Sequence, residues 1–345
     1  MFKLRIGYLI VGITTGLIVL LGFFTSLPDG KLHIVFCDVG QGDAAYIRFP
    51  DGRDMLVDGG PNNQVLDCLG RHMPFWDRHI NLVFLTHPQK DHMQGLIAAL
   101  DRYSTDAFVR SDIANTSDGY AELMAVVKRR NVKQKFVTTG ELVAVGSTTL
   151  SILWPSSDQI ALFKRYYLAA SQGSTLRNSV LGSSSMDLND GSIVFALRYG
   201  DFDALFTGDA DTHVESKWRD DMALRLRSGP ILRQTLGLAL DVLEVLKYPH
   251  HGSKTAMSPD FLMRLFPDNQ KTSFARPGLA KLNSHNPIAE PLVVISVGKN
   301  SYGHPNEVTL DTLATRGVQV KRTDKEGDIE VVSDGREWET VSTKN

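Results

Sequence analysis

The residues best suited to chemistry fall in three short segments. Leu85–Gly95 reads LTHPQKDHMQG and delivers His87, Asp91 and His92 directly after an apolar run. Imidazole and carboxylate are the donors that a divalent ion such as zinc or manganese takes in hydrolases. Phe206–Asp211, FTGDAD, repeats the pattern, an apolar run ending in Thr-Gly and then Asp209. A carboxylate so placed can bridge two ions about 3.5–4 Å apart. Val245–Thr255, VLKYPHHGSKT, ends a third apolar run and supplies His250 and His251. Side chains alternate along an extended chain, so adjacent histidines do not face one ion together. One ligates and the other packs or meets substrate, with His251 the favoured ligand. Taken singly, Asp91 also suits a helix N-cap and Gly208-Asp209 suits a turn. The recurrence of His and Asp at three strand ends is what points to a metal centre.

Three further segments belong with these. DVGQGD, Asp38–Asp43, follows the first apolar run, and LVDGG ends another with Asp58. An Asp in such a place orients neighbouring loops or ligands rather than binding the ion itself. SVGKNSYGHP, Ser296–Pro305, carries Lys299 and His304 after a late apolar run. Either residue could hold an anionic substrate or protonate a leaving group.

The elements that must position these residues alternate between strand and helix. Strand patterns cover Leu32–Val39, Ala44–Phe49 and Asp54–Asp58, with Asp51-Gly52 as a turn, and INLVFLT at Ile80–Thr86 reads as a buried strand. Helices are expected near Asn63–Arg71, His92–Arg102, Tyr120–Arg130, Ala161–Ala170, His213–Arg227, Pro259–Leu265 and Glu307–Arg316. Further strands fall at Gln134–Thr138, Glu141–Val145, Thr148–Trp154, Ile193–Tyr199, Ala204–Thr207, Leu243–Lys247, Val293–Val297, Val318–Thr323 and Asp328–Val332. The Ser- and Asn-rich text before Asp190 reads as a loop beside the site. Strands and helices in two successive groups predict an α/β fold, two sheets packed face to face with helices on both outer faces.

Composition narrows the setting. With 345 residues, 37 Lys plus Arg and 39 Asp plus Glu, the net charge is −2, so nothing global draws the chain to nucleic acid or to anionic lipid. The basic run Lys128–Lys135, KRRNVKQK, reads as the solvated end of a helix. The two cysteines, Cys37 and Cys68, lack zinc-knuckle or redox spacing. Cys37 suits a small core residue, and a Cys37–Cys68 disulfide is an open alternative. Ile6–Thr25 is about twenty residues without a charge, preceded by Lys3 and Arg5. That length spans a bilayer's hydrocarbon core, and the early basic residues favour a cytoplasmic N-terminus. The exit, GFFTSLPDG, has no small-residue cleavage pattern. An uncleaved anchor is favoured over a cleaved leader, which would leave the rest secreted.

Asp58, His87-x-x-x-Asp91-His92, Asp209 and the His250/His251 pair resemble the ordered motifs of the metallo-β-lactamase superfamily. The wording DVGQGDA, LVDGG, LTHPQKDHMQG, FTGDAD, LKYPHHGSKT and ISVGKNSYGHP is more similar still to the extracytoplasmic hydrolase domain of ComEC-type competence proteins, which form a DNA-uptake channel. The resemblance runs over roughly Leu32–Asp334. It implies an αββα sandwich after one transmembrane helix, one or two divalent ions, Zn or Mn, and phosphodiester cleavage. Where the superfamily's commonest pattern, His-x-His-x-Asp-His, has its second His, this chain has Gln89. The superfamily's next metal His, before the Asp209 strand, has no counterpart; Asn189 and Ser192 stand there instead. The resemblance thus implies one ion position held by Asp91, His92, Asp209 and one of the adjacent histidines. The other is thinly held by His87, Asp209 and neutral oxygens.

The expectation is an extracytoplasmic metallohydrolase: anchor 1–28, hydrolase domain 29–336 and tail 337–345. It would act as a nuclease or phosphodiesterase in DNA uptake or processing. Asp91 and Asp209 hold the ion and orient its water, and Lys299 or His304 assists the leaving oxygen. Hydrolysis of another phosphodiester or ester, such as a cell-wall substrate, is the second reading. A non-catalytic envelope or uptake subunit is the third.

Overall fold

In the computed structural model, residues 2–25, 27–171, 187–218, 243–266 and 290–344 are described. After a long helix, α1 (Phe2–Thr25), the chain builds two sheets. The first contains β1 (Leu32–Phe36), β2 (Ala45–Arg48), β3 (Asp54–Val57), β4 (His79–Leu85), β5 (Ser104–Arg110), β6 (Lys133–Phe136), β14 (Ile329–Ser333) and β15 (Trp338–Ser342). Its order is β15-β14-β1-β2-β3-β4-β5-β6. The second contains β7 (Leu142–Val145), β8 (Thr148–Trp154), β9 (Val194–Tyr199), β10 (Phe202–Phe206), β11 (Val245–Lys247), β12 (Leu292–Ile295) and β13 (Gln319–Arg322), in the order β13-β12-β11-β10-β9-β8-β7.

Alternation along single strands shows why four layers form. Leu32, Ile34 and Phe36 of β1 enter the core between the sheets, while Val35 and Cys37 enter an outer core. That outer core lies under α2 (Gln64–His72), α3 (Lys90–Arg102) and α4 (Asp118–Arg129). In β12, Leu292 and Val294 face the central core, and Val293 and Ile295 face the helices on the other side. A strand apolar on both faces must be covered on both. The αββα sandwich expected from the sequence is the fold observed.

Strand direction sets where the loops gather. β3, β4, β5 and β6 run parallel, and so do β10, β11, β12 and β13. Each parallel set therefore opens its C-terminal loops at one end. Cys37 and Cys68 are disulfide-bonded with Cα atoms 5.8 Å apart, tying the end of β1 to α2. Cys37 is thus a cross-link as well as a core residue. Asp328, just before β14, accepts hydrogen bonds from the Asp38 amide and from Arg71 and His72 of α2, fastening the same corner.

Two boundaries move. Residues 337–345, read as a tail, contain β15, paired along its whole length with β14. Its side chains are half-exposed or exposed, so it carries no apolar run. The helix expected at Ala161–Ala170 spans Ser157–Ser171. The expected helix at His213–Arg227 is described over 212–218, and its remainder lies outside the described residues. The basic run 128–135 closes α4 and forms the edge strand β6, every residue of which is exposed.

Asp54 opens β3 as a buried carboxyl. Its Oδ1 accepts a hydrogen bond from the Tyr46 hydroxyl at 2.6 Å, and Arg48 lies 3.7 Å away. Burial outweighs these partners and pushes the carboxyl up to about 6. The unfolded chain releases this proton near pH 4, whereas the folded chain keeps it until about 6. Between those values the folded state binds more protons, so stability falls as pH rises, by about 3 kcal/mol in all. Urea-unfolding midpoints measured across this window should fall with pH from this group. Asp54→Asn should remove that part of the slope, and identical slopes in the two proteins would contradict it.

Candidate metal centre

The site forms at the strand ends where the two sheets meet. β4 runs into Thr86 and His87, and Asp91 and His92 lie in the first turn of α3. β10 leads to Asp209, and β11 to a short helical turn at His250–Gly252. Four residues converge: ligand atoms of Asp91, His92, Asp209 and His251 all lie within 4.8 Å of one another. His92 Nε2 is 3.3 Å from Asp209 Oδ2. His251 Nε2 is 3.3 Å from Asp91 Oδ2 and 3.5 Å from Asp209 Oδ2.

The second nitrogen of each histidine is already engaged. His92 Nδ1 sits 2.8 Å from Asp58 Oδ2, and Asp58 also accepts from the Thr86 amide and hydroxyl. His251 Nδ1 sits 3.0 Å from the Ser296 carbonyl. Such partners fix the tautomer that aims Nε2 at the cluster. Asp58 therefore orients His92, as the LVDGG motif suggested.

The backbone is bent to make this arrangement. Among the described residues, the non-glycine positions with positive φ are Asp58, Asn131, His250 and His251, three of them at the site. His250 and His251 have φ of 48° and 54°, a left-handed conformation costing roughly 1–2 kcal/mol per residue. Strain of this kind collects at functional sites. It also resolves the adjacent-histidine problem, because the chain is turned rather than extended. His251 enters the cluster, and His250 lies at the rim, its ring 5.6 Å from that of His304 and its Nδ1 3.9 Å from Asp211. Gly42 of DVGQGD is needed for close approach: a Cβ there would lie 2.3 Å from the Asp91 carbonyl.

The electrostatics suit a cation. Burial works against charge on Asp209, yet His92 and His251 hold its carboxyl well below the usual range. Asp91 is likewise held low, against burial, by its hydrogen bond to His251 and by His92. Burial also opposes an imidazolium at His92, but Asp209 and Asp58 raise it well above an ordinary histidine. His87 is pushed down to about 3 by burial and by His92, so it is neutral with a lone pair to offer. The Nε2 atoms of His87 and His92 are buried without a hydrogen-bond partner among the described residues. Unpartnered buried donors beside two carboxylates fit a divalent ion.

The remaining expected residues are placed as follows. His87 lies beside His92, ring centroids 4.1 Å apart and planes tilted by 54°, outside the four-donor set. The Gln89 amide reaches Asp187 at 3.4 Å, and Asn189 Oδ1 is buried without a hydrogen-bond partner among the described residues. His304 is at the rim, its pKa lowered by burial and by His250 and His251. Lys299 is exposed and makes no hydrogen bond or ion pair with the cluster among the described residues. One feature escaped the sequence: Lys247, buried at the end of β11, pairs with Asp43 and lies 3.9 Å from Asp209. The available signal was a lone charge inside the apolar run VLKY.

The four-layer sandwich thus carries a His/Asp cluster at its strand ends. No family profile matches the chain. ComE operon protein 3 of Bacillus subtilis (strain 168) is 22% identical over 322 residues, which cover 88% of this chain and 33% of that protein. The chain therefore spans about a third of the length of this curated relative. Solved structures similar to it include the metallo-β-lactamase fold protein YhfI from Bacillus subtilis, with TM-score 0.46, 10% identity and coverage of 87% of this chain and 99% of that one. Igni18, a metallo hydrolase from Ignicoccus hospitalis, gives TM-score 0.45 and 12% identity over 90% of this chain and 100% of its own.

Proposed function

We propose that this chain is a metal-dependent phosphodiesterase, acting as a nuclease outside the cytoplasm and held to the membrane by α1. The observation that carries the reading is the four-donor set Asp91, His92, Asp209 and His251 at the strand ends. Resemblance to ComEC-type hydrolase domains over six motifs supports nucleic acid as substrate. The Cys37–Cys68 disulfide supports an oxidising compartment. Ile6–Phe24 is a 19-residue apolar stretch with none of its residues buried, long enough to cross a membrane.

A divalent ion, zinc or manganese, would supply a Lewis acid and a lowered water pKa at this centre. The chain's own residues do the rest. Asp91 and Asp209 offer carboxylate oxygens, and His92 and His251 offer Nε2 atoms kept in register by Asp58 and Ser296. His250 and His304 stand at the rim, where they can hold a phosphate oxygen or pass a proton to the leaving oxygen.

The test is purified full-length chain with added zinc or manganese, assayed on single- and double-stranded DNA and on a generic phosphodiester beside Asp91→Ala. Metal-dependent DNA cleavage, lost in the variant, is the expected result. Bound metal with cleavage of the generic phosphodiester alone would move the substrate to another class, such as a cell-wall phosphodiester. Absence of both metal and cleavage would support the non-catalytic subunit.

A further inference from the structure

The apolar surface of α1 does not end where the helix ends. Phe23, in its last turn, packs against Trp76 with ring centroids 4.9 Å apart and planes tilted by 36°, and Trp76 meets Phe75 edge-on at 4.7 Å. Phe75 also reaches the backbone of α1, where a Cβ on Gly22 would lie 3.4 Å from its ring. These rings belong to the loop Met73-Pro74-Phe75-Trp76-Asp77 between α2 and β4, yet Phe75 is 57% exposed and Trp76 38%. Exposed aromatics continuous with a membrane-length helix sit where the aromatic belts of membrane proteins lie, at the headgroup level.

The linker from α1 to β1 is also docked. The Tyr199 hydroxyl donates to the Gly30 carbonyl at 2.9 Å, Asp29 pairs with His33 at 3.1 Å, and Pro28 packs against Gly52. All these partners share one end of the sandwich. β1 begins there, β9 ends there, β2 turns into β3 there, and the aromatic loop enters β4 there. The His/Asp cluster lies at the other end of the same strands. β4, with seven residues, separates the two by about 20–25 Å.

Resting on the reading of α1 as a membrane anchor, we propose that Phe75 and Trp76 form a second membrane contact, inserted in the interfacial layer of the bilayer that α1 crosses. The catalytic mouth then points away from that bilayer. The site takes its substrate from the aqueous compartment, and lipid headgroups of its own membrane lie out of reach.

Full-length chain reconstituted in phosphatidylcholine vesicles, with and without lipids brominated on the upper acyl chain, tests this through tryptophan emission. Co-flotation with the vesicles is expected. Brominated lipid should quench up to the share of one tryptophan in four, and Trp76→Phe should abolish that quenching. In the Trp76→Phe background, Tyr302→Trp places a probe at the mouth, where Tyr302 is exposed, and it should remain unquenched. Flotation with quenching unchanged by Trp76→Phe would overturn the loop contact while leaving the anchor standing. A quenched Tyr302→Trp would overturn the orientation, and failure to float would overturn both the anchor and the inference.

Discussion

Asp209→Ala should empty the metal centre and lower hydrolysis by more than the roughly 10–100-fold that loss of an outer partner costs. Asp209 is the residue that the other donors share. Its carboxylate lies 3.3 Å from His92 Nε2 and 3.5 Å from His251 Nε2, and its Oδ1 accepts the His250 amide at 3.2 Å. Its own amide donates to the Ser192 hydroxyl oxygen at 3.2 Å. Removing it takes one of four donors from the ion and leaves two buried histidines without the anion they face. Metal content and affinity of the variant are the direct readout, with activity beside them. A variant that keeps its metal at unchanged affinity would place the centre elsewhere. A pH series adds a sign check. Asp209 and Asp58 raise His92 above an ordinary histidine, so a proton competes with the ion there and metal affinity falls as pH is lowered. In Asp209→Ala that competition weakens, because the first of the two carboxylates favouring the proton is gone.

Much of this centre was legible because its residues follow continuous apolar strands. HINLVFL, FDALF and VLK are β4, β10 and β11, and each is followed within a few residues by a donor that the fold brings to one place. A buried strand end leaves the next residues little freedom, so residue type and spacing carry the geometry. The adjacent histidines were separable in role but not in mechanism. Their alternation argument assumed extended backbone, and the positive φ at both positions belongs to a turn that no propensity in His-His-Gly announces.

What stayed hidden has a common cause. β15 reads WETVS, with two of its five residues exposed, none buried and no apolar run, and only its pairing with β14 makes it a strand. The Cys37–Cys68 bond joins residues 31 apart in sequence, and neither local context demands a partner. Gly298 is fixed by close approach as well: a Cβ there would lie 2.3 Å from the Gly40 carbonyl carbon, so the late loop and DVGQGD pack backbone to backbone. Contacts between distant segments leave no periodic trace in either one.

Lys247 and Asp43 are the extreme case, 204 residues apart, one closing β11 and the other in the loop before β2. Burial pulls the Lys247 ammonium well below its usual range. The adjoining cavity of about 10 Å³ holds at most about one water, so hydration cannot offset that desolvation. The offset comes from the Asp43 carboxylate, assisted by the Gly208 carbonyl at 3.2 Å. Lys247→Met should therefore destabilise the fold by about 3–5 kcal/mol, the usual cost of breaking a buried pair by removing one partner. The loss arises chiefly from Asp43, left buried beside His251 Nδ1 at 3.5 Å and His92 Nδ1 at 3.9 Å. Those nitrogens already serve Ser296 and Asp58, so a stranded Asp43 also competes for the bonds that aim His92 and His251 into the cluster. The double variant Asp43→Asn/Lys247→Met should recover most of the stability, since a neutral pair of similar volume needs no compensation. Urea-unfolding midpoints of the four proteins form a double-mutant cycle that measures the coupling directly. If Lys247→Met alone proves neutral or stabilising, the pair does not carry opposed charges in the fold, and Asp43 is held by the histidines instead.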